Sequence, residues 1–481
     1  MLEKCDVIFQ GGRIIDGSGK PGCIGDVAIT GDSIVAIGDC DACSAEETVD
    51  VTGLVVAPGF IDVHTHDDTE VQRNPRMACK VTQGVTSVIV GNCGISAAPF
   101  TPNPSLPAPF TGKTLHDPDT VFPSVANYAE RLRRQPAAVN VALLVGHSSL
   151  RANVMGFDLD RPAQTQELNV MQSALDDALS QGAIGMSSGL DYPAASAAPR
   201  SEMVALAKVL KQHANAVYTT HMRNEDDYVV EAVRETVDTG RAAGVSVVIS
   251  HHKCSGTANF GRSAETLRII EAARTEGRVA LDCYPYVASS TSLLERFLPA
   301  ADAILVNWSD PHPEMSGKML NDIAVEWNIT REEACARLHP AGAIYFDLDE
   351  GDLRRILAYG PTMVGSDGIP STQSPHPRLW GTFPRVLGHY ARDLGLFALE
   401  TAVHKMTGLS ARVFGLTGRG ELAAGCKADI CVFDPNTVID KATFKEPEKP
   451  ATGIRHVMVN GTFALKDGTQ TSALSGDFLT H

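Results

Sequence analysis

Six residues that can bind a metal ion or transfer a proton follow apolar, strand-like runs of the sequence. They are His64, His66, Cys93, His221, His251 and Asp367. His64 and His66 are two positions apart, and on a β-strand this spacing directs both imidazoles to the same side. Imidazole, thiolate and carboxylate groups are the ligands that proteins offer to zinc and similar ions. The residue types and their positions therefore predict a metal site.

The repetition of these groups is stronger evidence than any one of them. A single histidine after a strand is more often a hydrogen-bonded structural residue, and a single buried cysteine is usually a small apolar side chain. The six residues, however, occur at five of eight predicted strand ends, which favours one shared site. His147 follows a strand without a partner, and His252 should point away from the neighbouring His251. We therefore leave His147 and His252 out of the predicted ligand set.

Eight apolar runs alternate with helical segments such as TQELNVMQSALDDALSQG, which is the pattern of parallel βα units. The runs are GFIDVHTH, VTSVIVGNC, VNVALLVGHSS, AIGMSSGL, AVYTTHMR, VSVVISHHK, VALDCYPY and TMVGSDG. In a barrel of eight such units, reactive side chains converge where the strands end. The sequence therefore predicts an α/β fold, a (β/α)8 TIM-type barrel.

Both ends of the chain are rich in short β-runs broken by Gly and Asn-Gly turns, as in DVIFQGGRIID and GIRHVMVNGTFALKDG. We expect residues 1–58 and 412–481 to form one small β-sandwich-like domain. Residues 59–411 would form the catalytic barrel, because 481 residues suit a barrel with an accessory domain. Before barrel strand 8, an interval of about residues 291–345 exceeds a normal βα connection and predicts an insertion at the barrel mouth.

The overall composition excludes several classes of function. With 41 basic and 57 acidic residues, the formal net charge is −16, which argues against binding to nucleic acid or to anionic lipid. The sequence has no apolar run long enough to span a membrane, and its first residues, MLEKCDVIFQGG, do not match a secretory signal. Eleven scattered cysteines indicate a reducing compartment. We therefore expect a cytoplasmic protein that acts on a small molecule.

Five motifs together resemble the amidohydrolase superfamily. They are PGFIDVHTHDD, GVTSVIVGNCGIS, the histidine after strand 5, SHHK after strand 6 and VGSDG after strand 8. The resemblance covers nearly the whole chain, including the terminal β-runs. Many superfamily members bridge two metal ions with a carboxylated lysine or a glutamate, whereas the N-acyl-D-amino-acid deacylases, or D-aminoacylases, use a cysteine. Cys93 therefore makes the chain similar to this deacylase family.

The resemblance implies a division of the ligands between two metal sites. Cys93, His221 and His251 would hold one Zn²⁺ tightly, while His64 and His66 would form a second, weaker site with Cys93 as the candidate bridge. A thiolate with two imidazoles leaves a fourth position for water, and the metal lowers the pKa of that water to about 7.

The resemblance also implies the residue that moves the proton. Asp367 would be the general base and acid, taking a proton from the metal-activated water and giving it to the leaving amine. Tyr192, in GLDYP after strand 4, is a candidate helper that would polarise the amide carbonyl.

Four further residues match those that hold the substrate's α-carboxylate in the deacylases. They are Lys253, Tyr284, Ser290 and Arg378. Two cations and two hydroxyls would form a charge-assisted clamp for a carboxylate. Arg296, in SSTSLLERFL, lies where relatives acting on N-acyl-D-glutamate place an arginine for the side-chain carboxylate. Alternatively, Arg296 is a solvent-exposed residue that pairs with Glu295 or another acid.

The predicted reaction is the zinc-dependent hydrolysis of N-acyl-D-amino acids, with N-acyl-D-glutamate preferred, to a carboxylate and the free D-amino acid. The D-configuration is implied by the resemblance alone. One alternative is a D-aminoacylase for neutral D-leucine-like or D-methionine-like side chains, and another is an amidohydrolase that acts on a cyclic amide. A non-enzymatic alternative is a silent barrel that serves as a binding protein.

Overall fold

Two nine-stranded sheets and one three-stranded sheet form the framework of the chain. The computed structural model describes residues 3–41, 43–102, 106–107, 110, 117–275, 279–370 and 373–481. The predicted domain ranges thus include a few residues, such as 1, 2 and 42, that lie outside the described part. Within the described residues, none of the helices is both long and apolar enough to cross a lipid bilayer.

The first sheet joins the two ends of the chain. Its strands are β1 Glu3–Ile14, β2 Cys23–Thr30, β3 Ser33–Gly38, β4 Cys43–Asp50, β5 Val55–Pro58, β17 Ile430–Phe433, β18 Ile454–Val459, β19 Thr462–Lys466 and β20 Thr469–Gln470. β5 and β17 pair antiparallel, with Val55 opposite Phe433. Inward-facing residues such as Ile29, Val56 and Ile430 form one apolar cluster. This pairing supports the proposed terminal domain of residues 1–58 and 412–481.

The second sheet is the barrel. Its strands are β6 Phe60–Asp62, β7 Val85–Val90, β8 Asn140–Gly146, β9 Gly185–Gly189, β10 Val217–His221, β11 Ser246–Ile249, β12 Val279–Cys283 and β16 Thr362–Val364. All neighbouring pairs from β6 to β16 are parallel, and the short C-terminal strand β21 Phe478–Leu479 adds to β8. All eight predicted runs contain or lead into a barrel strand. The predicted (β/α)8 barrel is confirmed.

Alternate residues of the apolar strands face two different cores. In β7 and β8, Ile89 and Leu144 pack inside the barrel, whereas Val88, Val90 and Leu143 pack against the surrounding helices. This double burial explains why these runs are continuously apolar, since parallel strands in a barrel are covered on both faces.

Fourteen α-helices lie in the described residues. They are α1 Glu70–Arg73, α2 Ala78–Val81, α3 Val125–Arg134, α4 His147–Met155, α5 Thr165–Ser180, α6 Arg200–Leu210, α7 Val229–Ala243, α8 Ser263–Arg274, α9 Leu320–Trp327, α10 Arg331–Leu338, α11 Glu350–Ala358, α12 Arg378–Arg385, α13 Leu399–Met406 and α14 Gly408–Val413. α5 begins with a capping box between Gln164 and Glu167 and buries Met171 and Leu175. Its amphipathic pattern is therefore satisfied by packing on the barrel.

Between β12 and β16, the chain forms the insertion that the sequence predicts. Its strands are β13 Ser289–Ser292, β14 Ala303–Ser309 and β15 Ala341–Phe346, and β15 pairs antiparallel with both others. α9 and α10 belong to the same segment. Residues such as Leu293, Val306, Ile323 and Leu338 form an apolar cluster of their own. The insertion therefore folds around a core separate from that of the barrel.

The barrel closes where its first and last strands meet. The amide of Asp367 donates to the carbonyl of His64 at 2.7 Å, and the amide of His66 donates to the carbonyl of Gly368 at 2.9 Å. Thr65 and Gly368 form a parallel bridge. These bonds bring the loop after β16 directly against the two histidines after β6.

A buried lysine holds this junction together. The ammonium of Lys80 contacts four side-chain oxygens, which are Asp62 Oδ2 at 2.7 Å, Thr65 Oγ1 at 3.0 Å, Ser366 Oγ at 3.0 Å and Asp67 Oδ2 at 3.1 Å. The lysine side chain is fully buried. Although burial opposes its charge, the Asp62 and Asp67 carboxylates raise the pKa of Lys80. The ion cluster therefore joins β6 to the segment after β16.

Replacing Lys80 with methionine should lower the free energy of unfolding by about 3–5 kcal/mol, because it leaves buried carboxylates without their cation. Lys449→Met is the control, since Lys449 pairs with Glu446 at the surface and its loss should change stability by less than about 0.5 kcal/mol. Guanidinium denaturation followed by circular dichroism measures both. Equal denaturation midpoints for the two variants would contradict a structural role for the Lys80 cluster.

Candidate metal and substrate site

A cavity lies at the ends of the barrel strands, and its space, including the mouth open to solvent, is about 620 Å³. We call it the barrel-mouth cavity. Its barrel side is lined by residues that include His66, His221, His251, Lys253 and Asp367, and its other side by insertion residues that include Ser290, Phe297 and Tyr345. The cavity thus lies where barrel enzymes place their reactive groups, between the strand ends and an added segment.

The first group of metal-compatible atoms consists of Cys93, His221 and His251. Cys93 Sγ lies 3.4 Å from His251 Nε2, and His221 Nδ1 lies 3.0 Å from the same nitrogen. A tetrahedral zinc ion with ordinary bond lengths needs ligand atoms about 3.3–3.7 Å apart. The three residues therefore fit a zinc ion with little movement.

A second group consists of His64, His66, Cys93 and Asp367. His64 Nε2 lies 3.3 Å from Cys93 Sγ and 3.5 Å from Asp367 Oδ1, and His66 Nε2 lies 3.3 Å from the same carboxylate oxygen. Cys93 belongs to both groups. Its thiolate therefore lies where it could bridge two metal ions.

Charge favours a cation at this place. Burial opposes ionisation of Cys93, but the neighbouring His64 and His251 hold its pKa well below the usual range. Burial likewise opposes the charge of the histidines, yet Asp367 raises the pKa of His66 to about 9 and Glu225 raises the pKa of His221 to about 10. The raised pKa values of the two histidines indicate a negative potential from the neighbouring thiolate and carboxylates, which is the environment that a divalent cation requires.

Three site residues have a left-handed backbone. The φ angles are 53° at Cys93, 36° at His251 and 47° at Asp367. Residues other than glycine rarely adopt this region, and each instance costs about 1–3 kcal/mol. All three lie just beyond the end of a barrel strand, where the turn takes the chain out of the strand direction. The cost is typical of residues whose side chains are held for function.

Asp367 contacts both the metal-compatible histidines and a buried arginine. Its Oδ2 pairs with Arg378 at 2.9 Å, while its Oδ1 faces His64 and His66. Burial opposes ionisation of Asp367, but Arg378 holds its pKa well below the usual range. Asp367 is therefore an ionised carboxylate that is able to accept a proton.

The predicted carboxylate clamp lies on one side of Asp367. Arg378 is fully buried, its guanidinium stacks 4.5 Å from the ring centre of Tyr284, and it donates to the carbonyl of Ser290 at 3.0 Å. Within the part of the chain that the structure describes, protein atoms supply no acceptor for Nε or Nη1 of Arg378 and no partner for the Tyr284 hydroxyl. Lys253 lies 5.8 Å from the same ring. The structure thus brings the four predicted clamp residues together.

Tyr192 and Arg296 lie at the edge of the cavity. The ring of Tyr192 is 4.7 Å from the ring of His221, and its hydroxyl bonds to Thr291 at 2.9 Å. Arg296 does not line the cavity. Its guanidinium, partly exposed, binds Asp191. Arg296 is therefore paired with an acid, although this acid is distant in sequence.

Two acidic residues that the sequence reasoning missed contact the histidines. Glu225 lies 3.0 Å from His251 Nδ1 and 2.7 Å from Lys253 Nζ. Asp282 lies 3.5 Å from His64 Nδ1 and accepts from the amide of His251 at 2.9 Å. Asp282 could have been recognised from the sequence, because a charged residue within a buried apolar strand needs a partner. Glu225 lies in a loop and carried no such signal.

The two histidines omitted from the predicted set belong to neither metal-compatible group. His147 Nε2 bonds to Glu202 at 3.0 Å and His252 Nε2 bonds to Thr266 at 2.8 Å. Both have ordinary structural partners away from Cys93.

Comparison with known proteins gives a family. The amidohydrolase family model matches residues 47–299 and 336–464. A D-aminoacylase from Alcaligenes xylosoxydans xylosoxydans is 51% identical over 479 residues, which cover 99% of this chain and 98% of that protein. An N-acyl-D-glutamate deacylase from the same organism is 47% identical over 467 residues, which cover 96% of this chain and 94% of that protein.

A solved structure gives the same relationship. The N-acyl-D-glutamate deacylase from Bordetella bronchiseptica, complexed with zinc and a phosphonate inhibitor that mimics the tetrahedral intermediate, superposes with a TM-score of 0.95. It is 44% identical and covers 100% of both chains. The resemblance to the N-acyl-D-amino-acid deacylases is thus confirmed. Because the family model matches more than half of the sequence and these relatives span nearly all of it, the chain belongs to the amidohydrolase family.

Proposed function

We propose that this chain is a zinc-dependent hydrolase that converts an N-acyl-D-amino acid and water into a carboxylate and a free D-amino acid. The observation that carries the proposal is the position of Asp367 between the metal-compatible histidines and the buried Arg378. A base beside a metal site can activate water for attack on an amide carbonyl, and a buried guanidinium favours amides that carry a carboxylate. The relatives named D-aminoacylase and N-acyl-D-glutamate deacylase support this reaction and the D-configuration.

The donor set fits Zn²⁺. Cys93, His221 and His251 would hold one ion tightly, and His64 and His66 would form a second, weaker site together with Cys93. When bound, zinc supplies a Lewis acid that polarises the amide carbonyl and lowers the pKa of water to about 7. A thiolate ligand suits zinc better than magnesium or calcium, which prefer oxygen.

Asp367 would act as general base and then as general acid. Its Oδ1 faces the metal-compatible histidines, so it can take a proton from the attacking water and return that proton to the leaving amine. Arg378 binds the other oxygen of the same carboxylate. An arriving α-carboxylate would share this guanidinium and so weaken its hold on Asp367. Substrate binding would therefore make Asp367 a stronger base.

The α-carboxylate would bind between Lys253, Ser290, Tyr284 and Arg378. The Tyr284 hydroxyl and two donor nitrogens of Arg378 have no partner among the described residues. A carboxylate would satisfy these groups, since unpaired buried donors are costly. Glu225 holds Lys253 at 2.7 Å, which keeps the ammonium at the cavity wall. The clamp orients the substrate so that its amide lies beside Asp367.

N-acyl-D-glutamate is the proposed preferred substrate, because Arg296 contacts two residues of the cavity wall, Asp191 and Phe297, and would bind a side-chain carboxylate in competition with Asp191. A neutral D-amino acid is the second candidate. The cavity wall also contains the aromatic residues Tyr192, Phe297 and Tyr345, which suit an apolar side chain. Tyr192 would contribute to this wall and to the orientation of the amide.

A paired assay tests the proposed reaction. The zinc-loaded protein should release free amino acid from N-acetyl-D-glutamate and N-acetyl-D-leucine, and at least about 100-fold more slowly from their L-isomers. It should contain about one tightly held zinc ion per chain. Activity should be lost with a strong chelator and recovered with zinc. Equal rates on D- and L-substrates, or full activity after removal of all transition metal, would refute the proposal.

Asp367→Asn should reduce kcat by at least about 100-fold, because the amide cannot accept the proton from water. Asparagine tolerates the left-handed backbone at this position, so the variant should fold and retain its tightly held zinc. Asp393→Asn is the control, since Asp393 pairs with Arg392 at the surface. Steady-state kinetics and elemental analysis measure both effects. An unchanged kcat in Asp367→Asn would exclude this residue as the base.

Glu225→Gln should weaken zinc binding by about 10–100-fold, because a carboxylate 3.0 Å from Nδ1 of a ligand histidine stabilises the tautomer that binds metal through Nε2 and increases its basicity. Glu235→Gln is the control, since Glu235 binds Arg223 and does not line the cavity. Competition with a chromophoric chelator gives both affinities. The same zinc affinity in the two variants would show that Glu225 does not support the metal site.

A further inference from the structure

Asp191 lies between Arg296 and the barrel-mouth cavity. One nitrogen of the Arg296 guanidinium binds the Asp191 carboxylate and another binds the Asp191 backbone carbonyl. The guanidinium also lies 4.2 Å from the ring centre of Phe297. Asp191 and Phe297 line the cavity, whereas Arg296 does not. A substrate side chain that enters the cavity therefore meets the carboxylate of Asp191 before it meets Arg296.

The position of Asp191 in front of Arg296 matters because the cavity lining is acidic. Four further acids line the cavity, and they are Glu225, Asp226, Asp347 and Asp367. Among the lining residues that the structure describes, Lys253 is the only lysine or arginine, and it is held by Glu225. Since Lys253 and Arg378 are assigned to the α-carboxylate, an acidic side chain would take Arg296 as its positive partner.

We propose that Asp191 is a specificity-determining residue that limits the preference for acidic side chains by occupying the guanidinium of Arg296. The inference rests on the proposed deacylase function. With the Asp191 carboxylate in place, two carboxylates share one guanidinium when N-acyl-D-glutamate binds. Without the charge of Asp191, the substrate carboxylate is the one carboxylate that pairs with Arg296. The native pair therefore keeps the cavity open to both acidic and neutral D-amino acids.

The remaining contacts of Arg296 do not need the Asp191 side-chain charge. The backbone carbonyl of Asp191 and the ring of Phe297 would still hold the guanidinium in an Asp191→Asn variant. Asp191 Oδ2 also lies 3.7 Å from His221 Nε2, so the substitution could alter metal binding. Such an effect acts on all substrates alike and cancels in a ratio of two kcat/KM values measured on one enzyme.

The test compares N-acetyl-D-glutamate with N-acetyl-D-glutamine, which has nearly the same shape but no side-chain charge. The ratio of their kcat/KM values is measured for zinc-loaded native protein, Asp191→Asn, Arg296→Ala and the double variant, with zinc content and circular dichroism checked for each. Asp191→Asn should raise the ratio about tenfold, and Arg296→Ala should lower it. In the Arg296→Ala background, Asp191→Asn should change the ratio by less than about twofold. Asp191→Ser serves as a second variant if the first does not fold.

Each other outcome overturns the inference in a recognisable way. An unchanged or lower ratio in Asp191→Asn would show that the carboxylate does not compete for Arg296, or that it holds Arg296 in place for the substrate. An equal rise in both backgrounds would show that Asp191 repels the substrate without acting through Arg296. If the native protein hydrolyses no N-acyl-D-amino acid, the proposed function itself fails. If the native protein is active but Asp191→Asn leaves the ratio unchanged, only the proposed role of Asp191 is rejected.

Discussion

The ionic contacts of Lys80 determine where the reactive residues of this protein meet. Asp62 lies in the first barrel strand and accepts hydrogen bonds from both the amide and the hydroxyl of Ser366, just after the last strand. The buried ammonium of Lys80 contacts both residues. His64 and Asp367 lie one or two positions further along these segments, so their separation depends on this junction. Desolvating an ammonium costs several kcal/mol, and the four oxygens around it offset that cost only while the barrel is closed.

Two carboxylates then join the metal-compatible residues to the substrate clamp. Asp367 contacts His64 and His66 through one oxygen and Arg378 through the other. Glu225 contacts His251 and Lys253 in the same manner. Each acid thus stands between a histidine and a cation of the clamp. Because both halves share these acids, the position of the metal and the position of the substrate carboxylate are coupled, which favours a fixed geometry for catalysis.

The parts predicted from sequence are those with a local signal. Cys93 and the four histidines were recognisable because reactive residues recurred after apolar runs, and the barrel followed from the number of those runs. Lys80 had no such signal, since lysine is seldom fully buried. The left-handed backbone at Cys93 had no signal either, since residues other than glycine rarely adopt it. The partner of Arg296 could not be found from local sequence, because Asp191 is 105 positions away. Contacts between distant loops are set by the fold, so they became visible only with the structure.

The barrel supplies the candidate metal ligands and Asp367, and the insertion supplies part of the cavity wall that would contact the substrate side chain. The metal-compatible residues, which include Asp367, lie at or just after the ends of barrel strands. Ser290, Phe297 and Tyr345 reach the cavity from the insertion. The insertion has its own apolar core, so its cavity-facing residues can change without disturbing the strands that carry the metal ligands. Arg296 belongs to this segment and Asp191 to the barrel. Their ion pair therefore joins the insertion to the barrel. The charge that a substrate side chain meets in the barrel-mouth cavity thus depends on the position of the insertion relative to the barrel.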